Sequence, residues 1–332
     1  MRRLMLLPLP LLCLCASCTA LPAEERAFAV VLCVEKEGAS WQAHARIPTY
    51  QTGGGYLTVS GKGETLPGAL AAMEAATPMR LQLSQLRLLA LSQSLGTAGE
   101  VSAVLTTLSD GMALRPQCQV AMTEVPGKKL MEALKPTAGA RLSKSLDVLL
   151  DSRMEQGLIL SASVSDLLRM GERQTPVLMK LALEDGAVSL AGGVPLTQAG
   201  TASLALTQEE TALLSLLRGD ADSLQLMLPE GSAQVRDASV KISISDDLRQ
   251  AEVTLTLHSL AASLTPKGLE AALAKRCILL LGRLSEAGCD VLGLGRKAVL
   301  QAHDMADWHA LNWPEIYRKL RWTVSVRASG TA

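Results

Sequence analysis

"CDVLGLGRKAV" (Cys289–Val299) is the segment whose reading decides the fold class. As a phosphate-cradling loop, its two glycines would place the chain among doubly wound α/β proteins. As punctuation between helices, they leave the class to the strands around them. A dinucleotide loop follows a strand, opens a helix and carries a third glycine three residues after the second. Here apolar positions Leu269, Leu273, Arg276/Cys277, Leu280 and Leu284 recur at helical spacing before the glycines, and the residue three after Gly295 is Ala298. A Walker loop needs Gly-Lys-Ser/Thr, whereas Gly295 precedes Arg296-Lys297-Ala298. The segment is therefore a turn between helices.

Around it the chain reads as strands and one long helix. "VKISIS" and "VTLTLH" alternate with period two at Val240, Ile242, Ile244 and at Val253, Leu255, Leu257; Thr265-Pro266 opens the helix, Gly288 ends it, and "RWTVSVRA" alternates again at Trp322, Val324 and Val326. That order predicts an α+β fold, mainly antiparallel sheets with helices packed on one face, without a βαβ rhythm. Upstream, "RAFAVVLCVEKEG", "SWQAHARIPTY" and "TGGGYLTVSGKG" read as strands. A helix follows with Thr65 as N-cap and Pro67 in its first turn. "MRLQLSQLRLLALSQ" returns to extended structure, "TAGEVSAVLTTLSDG" is a helix closed by Gly111, and "QCQVAMTEV" is a strand. "PVLMKLALEDGAVSLAGGVPLT" reads as a hairpin turning at Asp185-Gly186, and "TQEETALLSLLRG" as a helix with a Thr207/Glu210 capping box stopped by Gly219. The expected division is a signal at 1–17, an N-terminal unit at 18–171 and a C-terminal unit at 172–332, subdivided near 232, which makes three α/β-type units in all.

Composition narrows the function classes. With 48% apolar residues in 332, the chain can bury a sizeable core; with 32 basic against 32 acidic residues it carries no global field for nucleic acid, and nucleic-acid binding is not expected. "MRRLMLLPLPLLCLCASCTA" reads as an export signal: Arg2 and Arg3 lead, and the apolar run from Leu4 to Leu14 falls short of the roughly 20 residues that span a bilayer. Ala16-Ser17-Cys18 resembles the lipobox of bacterial lipoproteins, although Cys15 stands where leucine is usual; the alternative is ordinary cleavage near Ala20. On the lipobox reading Cys18 carries a diacylglyceryl group. At about 0.8 kcal/mol per buried CH₂, two acyl chains anchor firmly where one is marginal. Cys13, Cys15 and Cys18 belong to this leader; Cys33, Cys118, Cys277 and Cys289 read as small buried hydrophobes, with a Cys277–Cys289 pairing left open.

Catalytic motifs are sparse. No Gly-x-Ser-x-Gly, His-Glu-x-x-His or Ser-x-x-Lys arrangement occurs, and no acidic pair announces acid–base work. His303, Asp304, Asp307 and His309 could ligate a metal, but His303 and Asp307 share a helical face that His309 does not, so a solvated helix is the plainer reading. The chain has four Trp, three Tyr and one Phe, and four of these fall near its end: Trp308, Trp313, Tyr317 and Trp322. They read either as a local core or as a patch facing a partner.

The ordered succession of motifs resembles the Ger(x)C lipoproteins, the C subunits of spore germinant receptors. Asp290, Gly293, Gly295, Trp308, Trp313, Val324, Val326 and Gly330 match that family's closing pattern. Gly63-Glu64-Thr65 with Ala69-Leu70 resembles its N-terminal domain, and Glu184 to Asp220 the start of its second half. The chain departs from the pattern at Gln85, where histidine is common, at Leu196, where an aromatic is usual, and in "VLCVEKEG", which replaces a Gly- and Asp-rich opening. The resemblance implies a non-enzymatic, lipid-anchored subunit without cofactor, on the outer face of the bacterial cytoplasmic membrane, which is the inner membrane of the spore. It implies action beside the membrane-embedded A and B receptor subunits in response to small germinants. Asp290, Gly293, Gly295, Trp308, Trp313 and Trp322 are the candidate structural or partner-contact residues. The competing readings are an envelope lipoprotein that binds a solute or another protein outside germination, and a metal-dependent envelope enzyme.

Overall fold

The structure, a computed structural model, describes residues 25–49, 55–135, 141–170, 174–221, 223–301, 308 and 311–328. Cys18, Gly330 and the alternative metal-ligand set His303, Asp304, Asp307 and His309 lie outside the described residues.

Seven strands form the first sheet: β2 (Val31–Glu37), β3 (Ser40–Pro48), β4 (Tyr56–Gly63), β6 (Leu88–Ser92), β7 (Gln119–Thr123), β8 (Val177–Glu184) and β9 (Ala187–Pro195), in the order β4-β3-β2-β6-β7-β8-β9. The short strands β1 (Arg26–Phe28) and β5 (Arg80–Gln82) pair with each other. The flanks of the large sheet are the expected antiparallel hairpins; Asp185 and Gly186 turn the last one with φ of 51° and 75°. The centre, β2-β6-β7-β8, is parallel. Its chain returns through helices: α1 (Leu66–Ala75), α2 (Gln93–Thr97) and α3 (Val101–Met112), then α4 (Gly127–Ala133), α5 (Leu142–Glu155) and α6 (Val164–Leu168).

Those crossovers were not evident in the sequence because β6 and β7 are five-residue runs, "LLALS" and "QVAMT", buried on both faces and therefore without alternation. Leu32, Val34, Leu89 and Leu91 face one core with α1 and α3, while Val31, Cys33, Leu88 and Ala90 face another with α4 and α5. Helices thus cover both faces of this sheet, where packing on one face was expected. The expected division at 171/172 falls between β7 and β8, neighbours in one sheet. Helix α3 runs through Gly111, and its left-handed cap is Ala113 at φ 49°. Helix α1 lies directly on β4: a Cβ at Gly61 would stand 2.1 Å from the Ala69 carbonyl oxygen, so only glycine permits the approach.

One-face packing does hold in the second sheet, β10 (Leu224–Leu228), β11 (Gly231–Ile244), β12 (Gln250–Ala262) and β13 (Arg321–Ala328), ordered as numbered with only the β12–β13 junction parallel. Helix α8 (Pro266–Glu286) starts at the expected Thr265 cap and lays Leu269, Leu273, Cys277, Leu280 and Leu284 against Val253, Leu255, Leu257, Val324 and Val326. Helix α7 (Gln208–Arg218) closes the same core, with its Thr207/Glu210 capping box formed and Gly219 left-handed at its end. Cys277 takes the buried slot that Arg276 could have filled; Arg276 pairs with Glu209 and Arg283 with Glu210, clamping α8 to α7.

One polar cluster sits between β2, β3 and α4. His44 is buried; its Nδ1 lies 2.7 Å from Ser60 Oγ and its Nε2 2.9 Å from Glu35 Oε1. Glu35 Oε2 accepts the Gly127 N–H at 3.0 Å, at the start of a helix whose preceding residue, Pro126, has no capping side chain. The His44 hydrogen bond, helped by that N–H and opposed by burial, holds the Glu35 carboxyl below its ordinary value. A lowered carboxyl contributes stability above its unfolded value, about pH 4.3, and loses it as pH falls through the folded value. Urea midpoints measured from pH 6 down to 3 should therefore fall less steeply in Glu35→Gln than in the unaltered chain. Identical slopes would remove Glu35 as a source of acid sensitivity.

Candidate functional site

The candidate C-terminal residues converge where α8 ends. Gly288 (φ 72°) turns the chain out of the helix, and Asp290 is carried back beneath two short helices, α9 (Leu294–Ala298) and α10 (Trp313–Arg318). Asp290 Oδ1 accepts the Leu294 N–H at 2.8 Å; Oδ2 accepts the Gly295 N–H at 2.7 Å and the Trp313 Nε1–H at 3.1 Å. Gly293 is the left-handed N-cap of α9 (φ 68°) and offers no side chain of its own, so the Asp290 carboxylate caps that helix instead. A Cβ at Gly295 would lie 2.7 Å from Trp313 Nε1, which is why the indole reaches the carboxylate only over glycine. The two glycines of the opening segment therefore serve a carboxylate of this same chain; Gly293 makes the expected turn, whereas Gly295 lies within α9.

Aromatic rings extend the cluster. Trp308 stacks on Trp313 at 6.1 Å, Trp313 meets Tyr317 at 5.8 Å, and Tyr317 meets Trp322 edge-on at 6.3 Å. Trp313 and Tyr317 are buried with Leu248, Ala251, Leu294, Ala298 and Leu320, so these two rings form the local core that was one of the two readings. Trp308 and Trp322 are half-buried. Trp322 donates its Nε1–H to Ser285 Oγ at 2.7 Å, and Tyr317 donates its hydroxyl to the Cys289 carbonyl at 2.9 Å. Thr175 and Ser285 were not among the residues singled out, and Tyr317 was named in the aromatic cluster but not among the candidate contact residues. Tyr317 was legible as a member of the aromatic cluster, whereas Thr175 and Ser285 carry no signal in the sequence.

Chemically the arrangement is closed. Burial pushes the Asp290 carboxyl above its ordinary value, against the N–H groups of Gly295, Leu294, Trp313 and Gly293. The cavity beside it, lined by Thr175, Arg296, Trp308 and Pro314, holds about 120 Å³, well under the roughly 300 Å³ at which small-molecule sites begin. Asp290 could act as a base only by giving up bonds that hold two helices. The four cysteines after the leader are buried and unpaired, including Cys277 and Cys289. Burial pushes the thiols of Cys277 and Cys289 up to about 12, and those of Cys33 and Cys118 higher still. Among the described residues no cluster of three His, Cys, Asp or Glu could hold a metal ion.

The near-isosteric Asp290→Asn change tests whether the carboxylate holds this joint. An amide oxygen in place of Oδ2 can still accept from Gly295 and Trp313, but its NH₂ then faces the Leu294 N–H donor. The expected cost is about 2–4 kcal/mol in urea unfolding. A change below about 0.5 kcal/mol, the size expected of an ordinary surface substitution, would show that the carboxylate is not what holds α9 and α10 in place.

The family model described as spore germination protein N-terminal domain matches residues 20–183. No curated protein sequence matches the chain. Among solved structures, the crystal structure of the GerBC protein shares the fold with a TM-score of 0.58 and 12% sequence identity, covering 90% of this chain and 96% of that one. The order of the sheets, the helix cap at Thr65 and the closing Asp290–Trp313 arrangement are thus read in a chain that belongs to the Ger(x)C family of spore germination proteins.

Proposed function

We propose that the protein is the lipid-anchored, non-catalytic C subunit of a spore germinant receptor, working by contact with the membrane-embedded A and B subunits. The observation that carries this reading is positional. The germination domain begins at residue 20, directly after Ala16-Ser17-Cys18, so a diacylglyceryl group on Cys18 would tether the domain at the bilayer surface. No helix among the described residues is long and apolar enough to cross a membrane. The non-catalytic part of the reading draws support from a buried carboxylate committed to three donors and from thiols whose burial disfavours the thiolate. The proposed location is the outer face of the cytoplasmic membrane, which becomes the inner membrane of the spore.

Two measurements test the proposal. Spores lacking the gene should lose the response to at least one germinant while other triggers still work; an unchanged response to every trigger would overturn the receptor assignment. Fractionation of cells expressing Cys18→Ala should move the folded protein from the membrane to the soluble fraction. Retention of that variant in the membrane would overturn the lipid tether.

A further inference from the structure

A pocket of about 450 Å³ opens where β1, the end of β3 and the start of α5 meet. Its volume lies within the range of small-molecule sites. The walls are apolar, from Phe28, Ile47, Leu57 and Met79, while Arg26, Arg87 and Arg141 bring three guanidinium groups and no described lining residue is Asp or Glu. Two buried polar atoms in this lining have no hydrogen-bond partner among the described residues, Arg87 Nε and Thr49 Oγ1. Both can donate. Both are sealed from solvent as the side chains stand, so what the pocket offers an anion is its three guanidinium groups.

Arg87 is held in place for this task. Its backbone N–H donates to the Val30 carbonyl at 2.8 Å, and its carbonyl accepts the Gln119 N–H at 3.0 Å. Asp147 stands 3.5 Å from Arg87 Nη1, and Arg87, Asp147 and Asp151 also line a separate polar pocket. The N-terminus of the 14-residue helix α5 adds its dipole, with Arg141 as N-cap and Ser143 in the lining. Gln85, one of the three departures from the family pattern, lines this same pocket.

We infer that this pocket binds an amphipathic anion, a phosphate or carboxylate that carries a hydrocarbon substituent. The anionic head lies between the guanidinium groups of Arg26, Arg87 and Arg141 and accepts from them, and the hydrocarbon lies against Phe28, Ile47, Leu57 and Met79. Two sources supply this chemistry, the headgroup of an anionic phospholipid and a free amphipathic acid. The lipid source is within reach on the tether proposed above: Arg26 lies eight positions after Cys18, at most about 28 Å of extended chain. The pocket itself does not depend on that tether.

Soluble probes separate the two sources. The full chain, purified in a non-ionic detergent, is titrated with dihexanoyl phosphatidic acid, octanoate, dihexanoyl phosphatidylcholine and inorganic phosphate at constant ionic strength. The proposal expects saturable binding of phosphatidic acid or octanoate, about tenfold or more tighter than inorganic phosphate or phosphatidylcholine. It also expects loss of about tenfold or more in Arg87→Gln and in Arg141→Gln, the latter at an exposed position where folding is not at stake. Tighter binding of phosphatidic acid assigns a lipid headgroup, and tighter binding of octanoate assigns a free acid. Cys18→Ala should bind both as the unaltered chain does, so a failed tether would not be mistaken for a failed pocket. Saturable binding by neither anion, or equal binding in the two arginine variants, overturns the inference.

Discussion

The placement of the C-terminal third rests on the single residue Asp290. Its carboxylate gathers the N–H groups of Leu294 and Gly295 and the Trp313 indole, and its backbone carbonyl accepts the Thr175 N–H from the segment that leads into β8. Three stretches far apart in the chain are therefore held at one point: the end of α8, the two short helices after it, and the entry to the last hairpin of the seven-stranded sheet. The second sheet packs on α8, so this point also sets how the two sheets stand to one another. A buried carboxylate suits the task because it accepts several N–H donors at once, and because leaving any of them unpaired in the interior is costly.

The same device appears a second time. Helices α4 and α9 have seven and five residues, too short to be stable by themselves, and neither is capped by the side chain at its own N-cap. Glu35 reaches from β2 to the first N–H of α4, while Asp290 serves the first two of α9. In each case a glycine lets the acid's surroundings close in: Gly127 against His44, Gly295 against Trp313. These two short helices are thus stabilised by carboxylates from outside the helix, whereas α6 carries its own Ser163/Asp166 capping box. The cost is that an acid and a glycine remote in sequence must be kept together.

This construction commits the buried ionisable side chains to joints: His44 and Asp290 hold segments together, and the thiols are packed as small hydrophobes. The second sheet keeps one face on α8, while Thr254, Thr256, Thr323 and Ser325 alternate with its core residues and stand half-buried or exposed. The pocket beside β1 sets three arginines against an apolar wall with no acidic residue among its described lining.

Local physics made much of this legible. Thr65, Thr207 and Thr265 announce their helices because a capping hydroxyl acts within three residues; Asp185-Gly186 announces a hairpin because its positive φ values are local. The period-two runs at Val253–Leu257 and Val324–Val326 declared a half-buried sheet, and the spacing from Leu269 to Leu284 declared the helix that covers it. Rejection of a phosphate loop at Gly293 and Gly295 also needed only neighbouring residues. Strands buried on both faces, such as β6 and β7, lose their alternation, so the parallel centre of the first sheet and its second helical layer were not visible. Nor could any spacing rule pair Glu35 with Gly127, Asp290 with Trp313 and Thr175, or Arg87 with Thr49. Caps, turns and amphipathic faces are written in the sequence by itself, because the forces behind them act between near neighbours. The partners of buried charges were decided only by the tertiary structure, because desolvation acts on whatever the fold has brought into contact.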